Sequence, residues 1–238
     1  MKKGVCVLGA IFSFLNFGCV STKQKRDLSQ EKASLMEKNR REANFMAMKF
    51  IVNEDGVLEQ FNGSDSEVFV PSGVKVIGHA AFRNTLVENV WLPESVVEIR
   101  KDAFADCQKI KSITIPSSVL ICEEGVFRQC YYLEKVVISG ELECIPDNIF
   151  SGCSRLKEVQ IGYGVKIIGK SFTGCTSLET IEIPDSVEYI ADFAFSGCSN
   201  LKSITMPTDI EIGRRAFYGT QLQNKEALEA LYGESIFF

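Results

Sequence analysis

Nine cysteines are the residues of this 238-residue chain that could most readily do chemistry. Five of them recur at intervals of 22 or 23 residues: Cys107, Cys130, Cys153, Cys175 and Cys198. Zinc needs four ligands that converge on one point about 2.3 Å from each sulfur, whereas cysteines repeated once per stacked unit form a line. We therefore expect buried free thiols and no metal, with a disulfide between neighbouring members as the alternative.

Other residues that could carry chemistry have simpler interpretations. The only histidine, His79, has no Ser or Cys nucleophile at a spacing that indicates catalysis. Gly162-Tyr163-Gly164 resembles a fragment of a phosphate-binding loop, but it lacks the lysine and the following helix, so we interpret it as a turn. Cys122 replaces a core isoleucine of its unit, and Cys144, one position earlier in its unit, is expected to be more exposed. We expect no enzymatic activity, no cofactor and no small-molecule substrate.

The composition is that of a folded protein with a sizeable core, since 45% of the residues are hydrophobic and 24% are charged. The formal net charge is -5. Basic side chains are concentrated in residues 20–45, so the rest of the chain is strongly acidic. Nucleic-acid binding depends on neutralising phosphates with Lys and Arg, and this charge distribution argues against it.

The first residues resemble a bacterial export signal. Lys2 and Lys3 precede an apolar run from Val5 to Phe17, which is too short to span a membrane and suits a signal-peptide core. Leu15-Asn16-Phe17-Gly18-Cys19 resembles a lipobox, which implies that diacylglycerol is attached to Cys19 and anchors the protein to a membrane. Secretion with an unmodified Cys19 and a retained anchor are the alternatives. Residues 19–45 are charged and would form a tether, as a polar helix or a flexible segment.

An internal repeat dominates the remainder. The pattern Ser-Val-x-x-Ile, Ala-Phe-x-x-Cys, Leu-x-x-Ile-x-Ile recurs in seven units that start at residues 71, 93, 116, 139, 162, 184 and 207. The phenylalanines recur at the same interval in every unit: Phe82, Phe104, Phe127, Phe150, Phe172, Phe195 and Phe217. Such units cannot bury their apolar side chains alone, so they must stack into a solenoid in which equivalent residues form columns.

Local patterns assign the elements that position these columns. Lys111–Ile115 alternates polar and apolar residues, which predicts a strand, and Ser-Val-x-x-Ile predicts a second short strand. The stretch ending in Ala-Phe is expected to be a tight turn or short helix. Residues 46–70 predict a capping hairpin with a turn at Asp55-Gly56, and residues 223–238 predict a helical cap that begins at Asn224 as N-cap.

The repeat resembles a known family. The 23-residue unit, the Ala-Phe-x-x-Cys run and the segments Gly56-Val57-Leu58, Phe61-Asn62-Gly63 and Val70-Pro71-Ser72-Gly73-Val74 are similar to BspA-like, or Treponema-type, bacterial leucine-rich-repeat proteins. The resemblance spans about residues 50–222. It implies a mainly β fold, with short turns and helices, in a single leucine-rich-repeat solenoid of about seven units. Members are typically cell-surface or secreted, and several are adhesins for host matrix or plasma proteins or for other bacteria.

These inferences give a domain plan and a functional hypothesis. Residues 1–18 are the signal peptide, 19–45 the lipidated N-terminus and tether, 46–70 the hairpin cap, 71–222 the solenoid and 223–238 the C-terminal cap. We expect a monomeric, envelope-anchored adhesin that binds a protein through the concave strand face; the alternative is a periplasmic scaffolding lipoprotein. Trp91 could instead cover the junction with the hairpin. The expected contact residues on that face are Trp91, Thr114, Lys135, Val137, Glu158, Gln160, Glu182 and Thr205.

Overall fold

The structure is a computed structural model that describes residues 31–40, 48–139 and 142–238. A β-hairpin precedes the repeats. Strand β1 (Phe50–Val52) pairs antiparallel with β2 (Val57–Phe61), and Phe50 lies opposite Phe61. The side-chain oxygen of Asn53 accepts hydrogen bonds from the backbone N–H groups of Asp55 and Val57, at 3.1 and 3.0 Å. Gly56 completes the turn with a φ of 81°, a value that glycine adopts without steric cost.

The first six repeats each contribute one shorter and one longer strand, as the pattern predicts, whereas the long strand β3 precedes the first repeat and the seventh repeat contributes a short strand alone. The longer strands are β3 (Glu67–Phe69), β5 (Asn89–Trp91), β7 (Ser112–Ile115), β9 (Lys135–Ile138), β11 (Glu158–Ile161), β13 (Thr180–Glu182) and β15 (Ser203–Thr205). The shorter strands are β4 (Val76–Ile77), β6 (Glu98–Ile99), β8 (Ile121–Cys122), β10 (Cys144–Ile145), β12 (Ile167–Ile168), β14 (Tyr189–Ile190) and β16 (Glu211–Ile212). All pairs except β1 with β2 are parallel, so the chain is a mainly β solenoid of about seven turns.

The parallel pairing of the long strands forms one ladder and that of the short strands forms another, and each ladder is interrupted once. The long strands form a five-stranded sheet from β3 to β11 and a two-stranded sheet of β13 and β15. The short strands form one sheet from β1 to β8, which includes the hairpin, and another from β10 to β16. The hairpin therefore extends the short-strand ladder. Strand β3 belongs to the long-strand ladder, although the sequence suggests that its residues are part of the cap.

A column of phenylalanine rings fills the core between the two ladders. The predicted members are fully buried, and consecutive rings from Phe61 to Phe217 stack with centroids 4.7 to 5.7 Å apart. Phe50 covers one end of the column at 5.2 Å and Phe237 covers the other at 6.0 Å. Offset or stacked aromatic pairs add to the stability that burial provides, so the column ties each repeat to the next.

The segment around each phenylalanine is a turn rather than a helix. Backbone N–H groups in each turn donate to carbonyl oxygens of the next unit, as from Phe82 to Ala103 at 2.7 Å. Two positions per unit, two residues before and two after the phenylalanine, recurrently take a positive φ. The set after the phenylalanine is Asn84, Asp106, Gln129, Gly152, Gly174, Gly197 and Gly219.

The C-terminal residues close the other end of the solenoid. The α-helix Lys225–Tyr232 buries Leu228, and a 3₁₀ turn follows at Glu234–Ile236. The N–H of Phe217 donates to the carbonyl of Ile236 at 2.9 Å, so the chain end takes the place of another turn. Asn224 precedes the helix as predicted, but its side chain makes no capping hydrogen bond. Its ψ of 24° lies outside the extended region that an N-cap needs.

The chain divides into two units, Met1–Met46 and Ala47–Phe238. In the first, residues 31–40 are helical. The predicted signal peptide, Cys19 and the rest of the tether lie outside the described residues. Among the residues that the structure describes, no helix is long and apolar enough to cross a membrane.

Candidate functional site on the long-strand face

The outward side chains of the seven long strands form the long-strand face. Strand alternation turns residues such as Val90, Ile113 and Val136 into the core and their neighbours outward. Parallel pairing aligns the outward residues in two rows. The first row is Glu67, Asn89, Ser112, Lys135, Glu158, Thr180 and Ser203. The second is Phe69, Trp91, Thr114, Val137, Gln160, Glu182 and Thr205; all are exposed except Asn89 and Val137, which are half-buried.

Charged residues on and beside this face pair with each other across neighbouring units. Lys135 and Glu158 lie 2.8 Å apart in the first row. Immediately before the strands, Lys111 meets Glu88 at 2.7 Å, and two further pairs join Lys157 to Glu134 and Lys202 to Glu179. The hydrogen bond from Lys111 lowers the pKa of Glu88, and the hydrogen bond from Lys135 lowers the pKa of Glu158. These solvated pairs contribute little to stability, but they favour the native strand register.

An exposed aromatic pair interrupts this polar surface. The rings of Phe69 and Trp91 stack with centroids 4.3 Å apart and planes inclined by 7°. Phe69 is 64% exposed and Trp91 is 45% exposed, although both are large apolar side chains. The partner of Trp91 is thus a residue of β3, which lies within residues 46–70, the range predicted as the cap, but pairs with the long strands. The interval of 22 residues between Phe69 and Trp91 is the signal that could have placed Phe69 in this row.

A cleft lies beside Trp91, where the pairing of β5 with β7 ends. Strands β5 and β7 pair only at Asn89 and Ser112, whereas β7 and β9 pair over four residues. The resulting cavity has a volume of about 360 Å³. It is lined by Asn89, Val90, Trp91, Leu92, Glu94, Ser112, Ile113, Thr114, Pro116, Ser117 and Ser139. The site therefore combines an exposed aromatic surface with a concave neighbour.

A second, smaller opening of about 190 Å³ lies where the long-strand ladder breaks between β11 and β13. Gln160 and Glu182 of the second row line it. Tyr163 stands at its edge and is 81% exposed. The segment Gly162-Tyr163-Gly164 is a turn, in which the N–H of Val165 donates to the carbonyl of Gly162 at 3.3 Å.

The five repeated cysteines are core residues and are not part of this face. Cys107, Cys130, Cys153, Cys175 and Cys198 are fully buried free thiols, Cys122 is also buried, and Cys144 is exposed. Each thiol of the column donates a hydrogen bond to the phenylalanine carbonyl of the preceding unit, at 3.0 to 3.3 Å. Burial raises the pKa of Cys153 to about 12, so its thiol keeps the proton that it donates. Within the described ranges, no cluster of His, Cys, Asp and Glu could hold a metal ion.

Comparison with known proteins decides the family. The model of the BspA type leucine rich repeat region matches residues 60–171 and 123–231, with six copies of the repeat. The chain belongs to this family. Leucine-rich repeats typically mediate protein–protein interactions, and BspA-like proteins are generally surface or exported proteins. The family is a binding scaffold rather than an enzyme family.

Solved structures of leucine-rich-repeat proteins share the fold. A leucine-rich-repeat protein of T. pallidum is 27% identical with a TM-score of 0.72, and the match covers 78% of this chain and 94% of that one. A protein of Eubacterium ventriosum is 23% identical with a TM-score of 0.69, over 72% of this chain and 48% of that one. A Bacteroides ovatus protein is 27% identical with a TM-score of 0.54, over 71% and 52%. No curated protein matches the chain.

Proposed function

We propose that this protein is a non-enzymatic protein-binding module whose partner docks on the long-strand face. The exposed stack of Phe69 and Trp91 beside a cleft carries the proposal. Tryptophan is enriched among the residues that dominate binding energy at interfaces, because it buries a large area at a small cost in side-chain entropy. A partner that covered the two rings would remove apolar surface that water now contacts.

The remaining predicted contact residues would surround this aromatic anchor. Their polar and charged groups suit the rim of an interface, where they exclude water and set specificity more than affinity. They are Thr114, Lys135, Val137, Glu158, Gln160, Glu182 and Thr205.

The proposed setting is the bacterial envelope, where the protein would act as an adhesin or ligand-binding lipoprotein. Residues 1–18 would direct export, diacylglycerol on Cys19 would anchor the protein, and residues 19–45 would hold the monomeric solenoid away from the membrane. The family membership supports export, and the sequence around Cys19 supports lipid attachment. Mass spectrometry of the mature N-terminus tests this arrangement, since an acylated Cys19 is expected and an intact Met1 would contradict it.

Binding to purified extracellular-matrix and plasma proteins on a sensor surface tests the main proposal. We expect at least one protein to bind, and both the single change Trp91→Ala and the double change Trp91→Ala with Gln160→Ala to weaken binding at least tenfold. Tyr218→Ala is the matched control, because Tyr218 is an exposed aromatic side chain in a turn. Full binding by the double variant would reject the long-strand face as the site.

A periplasmic scaffolding lipoprotein with no host partner is the second candidate. The pairing of charges along the face favours it, because pairs such as Lys135 with Glu158 already satisfy each other without a partner. Protease treatment of intact cells separates the two functions. Removal of the protein is expected for a surface adhesin, and complete protection with an intact outer membrane would favour the scaffold.

A further inference from the structure

One face of the Trp91 indole is open to the cleft. In the second row, Phe69 precedes Trp91 and stacks on it, while the short side chain of Thr114 follows. The cleft is lined by Trp91 and Thr114 but not by Phe69, so it lies on the Thr114 side of the indole. A flat group that entered the cleft would continue the aromatic stack as its third member.

The rest of the lining is polar and almost uncharged. Glu94 is the only charged residue that lines the cleft, and the hydroxyl of Ser117 donates to it at 3.3 Å. Within the part of the chain that the structure describes, four other polar side chains of the lining have no hydrogen-bond partner. They are Asn89, Ser112, Thr114 and Ser139. Their amide and hydroxyl groups both donate and accept hydrogen bonds, so they are available to a ligand with the same capacity.

We infer that the cleft beside Trp91 binds a neutral pyranose sugar, as part of a glycan. The C–H face of a pyranose is apolar and flat enough to pack on an indole, while its hydroxyls both donate and accept hydrogen bonds around the ring edge. The cavity of about 360 Å³ lies at the small end of the range for small-ligand sites. Trp91 would hold the sugar face, and Asn89, Ser112 and Thr114 would bind its hydroxyls.

Other ligands fit these groups less well. An anionic ligand would find the carboxylate of Glu94 and no Lys or Arg among the residues that line the cleft. An aromatic protein side chain could stack on Trp91, but it would cover the hydroxyl and amide groups without pairing them, which costs about 1–3 kcal/mol for each group buried unpaired. The inference goes beyond protein binding, because a sugar is a different class of ligand; a partner protein that covered Phe69 and Trp91 would compete with it for the indole, so the two are measured in separate assays.

Trp91 supplies the readout, since it is the only tryptophan of the chain. The full chain is titrated with cellotriose, chitotriose and galactotriose while tryptophan fluorescence is measured; the peptide Ala-Phe-Ala and the acidic sugar sialyllactose are the competing probes. We expect a saturable change in emission with at least one neutral trisaccharide, at a Kd of about 1 mM or lower. No change with any of the three, or a change with Ala-Phe-Ala alone, would overturn the inference.

Variants that retain Trp91, and therefore the fluorescence signal, test whether the sugar binds in this cleft. Thr114→Phe places a ring where the sugar would stack and should abolish the response. Thr208→Phe is the control, because it adds the same ring at an exposed loop position outside the cleft. Asn89→Ala removes a hydrogen-bonding group without filling the cleft, and we expect it to weaken sugar binding at least fivefold. Sugar binding that survived both Thr114→Phe and Asn89→Ala would reject this cleft, and the protein-binding assay remains a separate measurement.

Discussion

The thiol of Cys153 lies 3.2 Å from the carbonyl oxygen of Phe127, one unit earlier, and donates a hydrogen bond to it. Both residues are fully buried, so no water could replace the thiol. The same carbonyl also accepts the backbone N–H of Cys130 at 3.3 Å, so the thiol is its second donor. A typical hydrogen bond contributes about 0.5–1.5 kcal/mol to stability. The repeated cysteine therefore has a structural role: it is a small apolar side chain that also supplies a second donor to the phenylalanine carbonyl of the preceding unit.

Replacing this thiol should separate its two contributions. We expect Cys153→Ala to lower the free energy of unfolding by about 1–3 kcal/mol, because the carbonyl loses one of its two donors and the side chain leaves a small void. Cys153→Ser keeps a donor and should lose less. The hydroxyl of Thr220 also donates to a phenylalanine carbonyl, that of Phe217 in its own unit, at 2.8 Å. Equal losses for both variants in chemical denaturation would mean that the thiol acts through packing alone.

The central ring of the phenylalanine column should be a major source of stability. Phe150 stacks between Phe127 at 5.7 Å and Phe172 at 5.4 Å and is fully buried. Phe150→Ala removes both contacts and leaves a cavity, with an expected loss of about 3–5 kcal/mol. Thermal denaturation should show a decrease in Tm of about 6 °C or more. Phe238→Ala, at an exposed terminal ring, is the control, and a decrease of under about 2 °C for Phe150→Ala would contradict the prediction.

Cys144 should be the reactive thiol of the solenoid. It is exposed, whereas burial raises the pKa of Cys130 and Cys175 well above the ordinary value. Labelling of the folded protein with a thiol reagent, followed by peptide mapping, should modify Cys144 first. The column cysteines should react only in denaturant. Rapid labelling of any of them in the native protein would show that the core opens on the same timescale.

The pH dependence of this labelling tests the cause of the shift. Partial burial raises the pKa of Cys144, and the negative charge of Asp147 raises it further. Because the thiolate is the nucleophile, Asp147→Asn should lower the pKa and move the rate profile to lower pH. The amide retains an oxygen that can accept the N–H of Lys170, as Asp147 does at 2.8 Å. An unchanged profile would assign the whole shift to burial.

Spacing was sufficient to predict the periodic part of this fold. The interval between Phe82 and Phe104 gives the length of one solenoid turn and places the two phenylalanines in the same core column. Strand alternation then predicts which neighbouring side chains face the core. The two ladders and the solenoid class follow from that argument, and the Asp55-Gly56 turn predicts the hairpin separately. The local sequence of one repeat is enough to predict its strands, and the same prediction applies to every stacked repeat.

The repeat interval does not predict the contacts made by the two caps or the places where neighbouring units pair incompletely. Phe61 and Phe237 join the ring column although neither lies in the Ala-Phe pattern, because the caps bring them there through tertiary packing. The repeat pattern does not predict Phe69 as a member of the second row, because its strand precedes the first unit, which starts at residue 71. The cleft beside Trp91 depends on where the pairing of β5 with β7 ends, which is a property of backbone packing rather than of residue type.

The recurring positive φ after each phenylalanine gives a last prediction. Gly197 has a φ of 74°, and an added Cβ would meet nothing nearer than the backbone nitrogen of Gly174, at 3.6 Å. Gly197→Ala should therefore cause backbone strain without a clash and lower the free energy of unfolding by about 1 kcal/mol. Gly73→Ala is the matched control, because an added Cβ there has no neighbour within 4 Å and no positive φ is required.

Gln129 should respond in the opposite direction. It occupies the same position of its unit with a φ of 61°, so its Cβ already bears the strain that Gly197→Ala would introduce. Gln129→Gly removes that strain but increases the conformational freedom of the unfolded chain. The free energy of unfolding should therefore rise by up to about 1 kcal/mol. Urea denaturation of the three variants under one condition measures all of these differences. If Gln129→Gly were as destabilising as Gly197→Ala, side-chain contacts of Gln129 rather than backbone conformation would control this position.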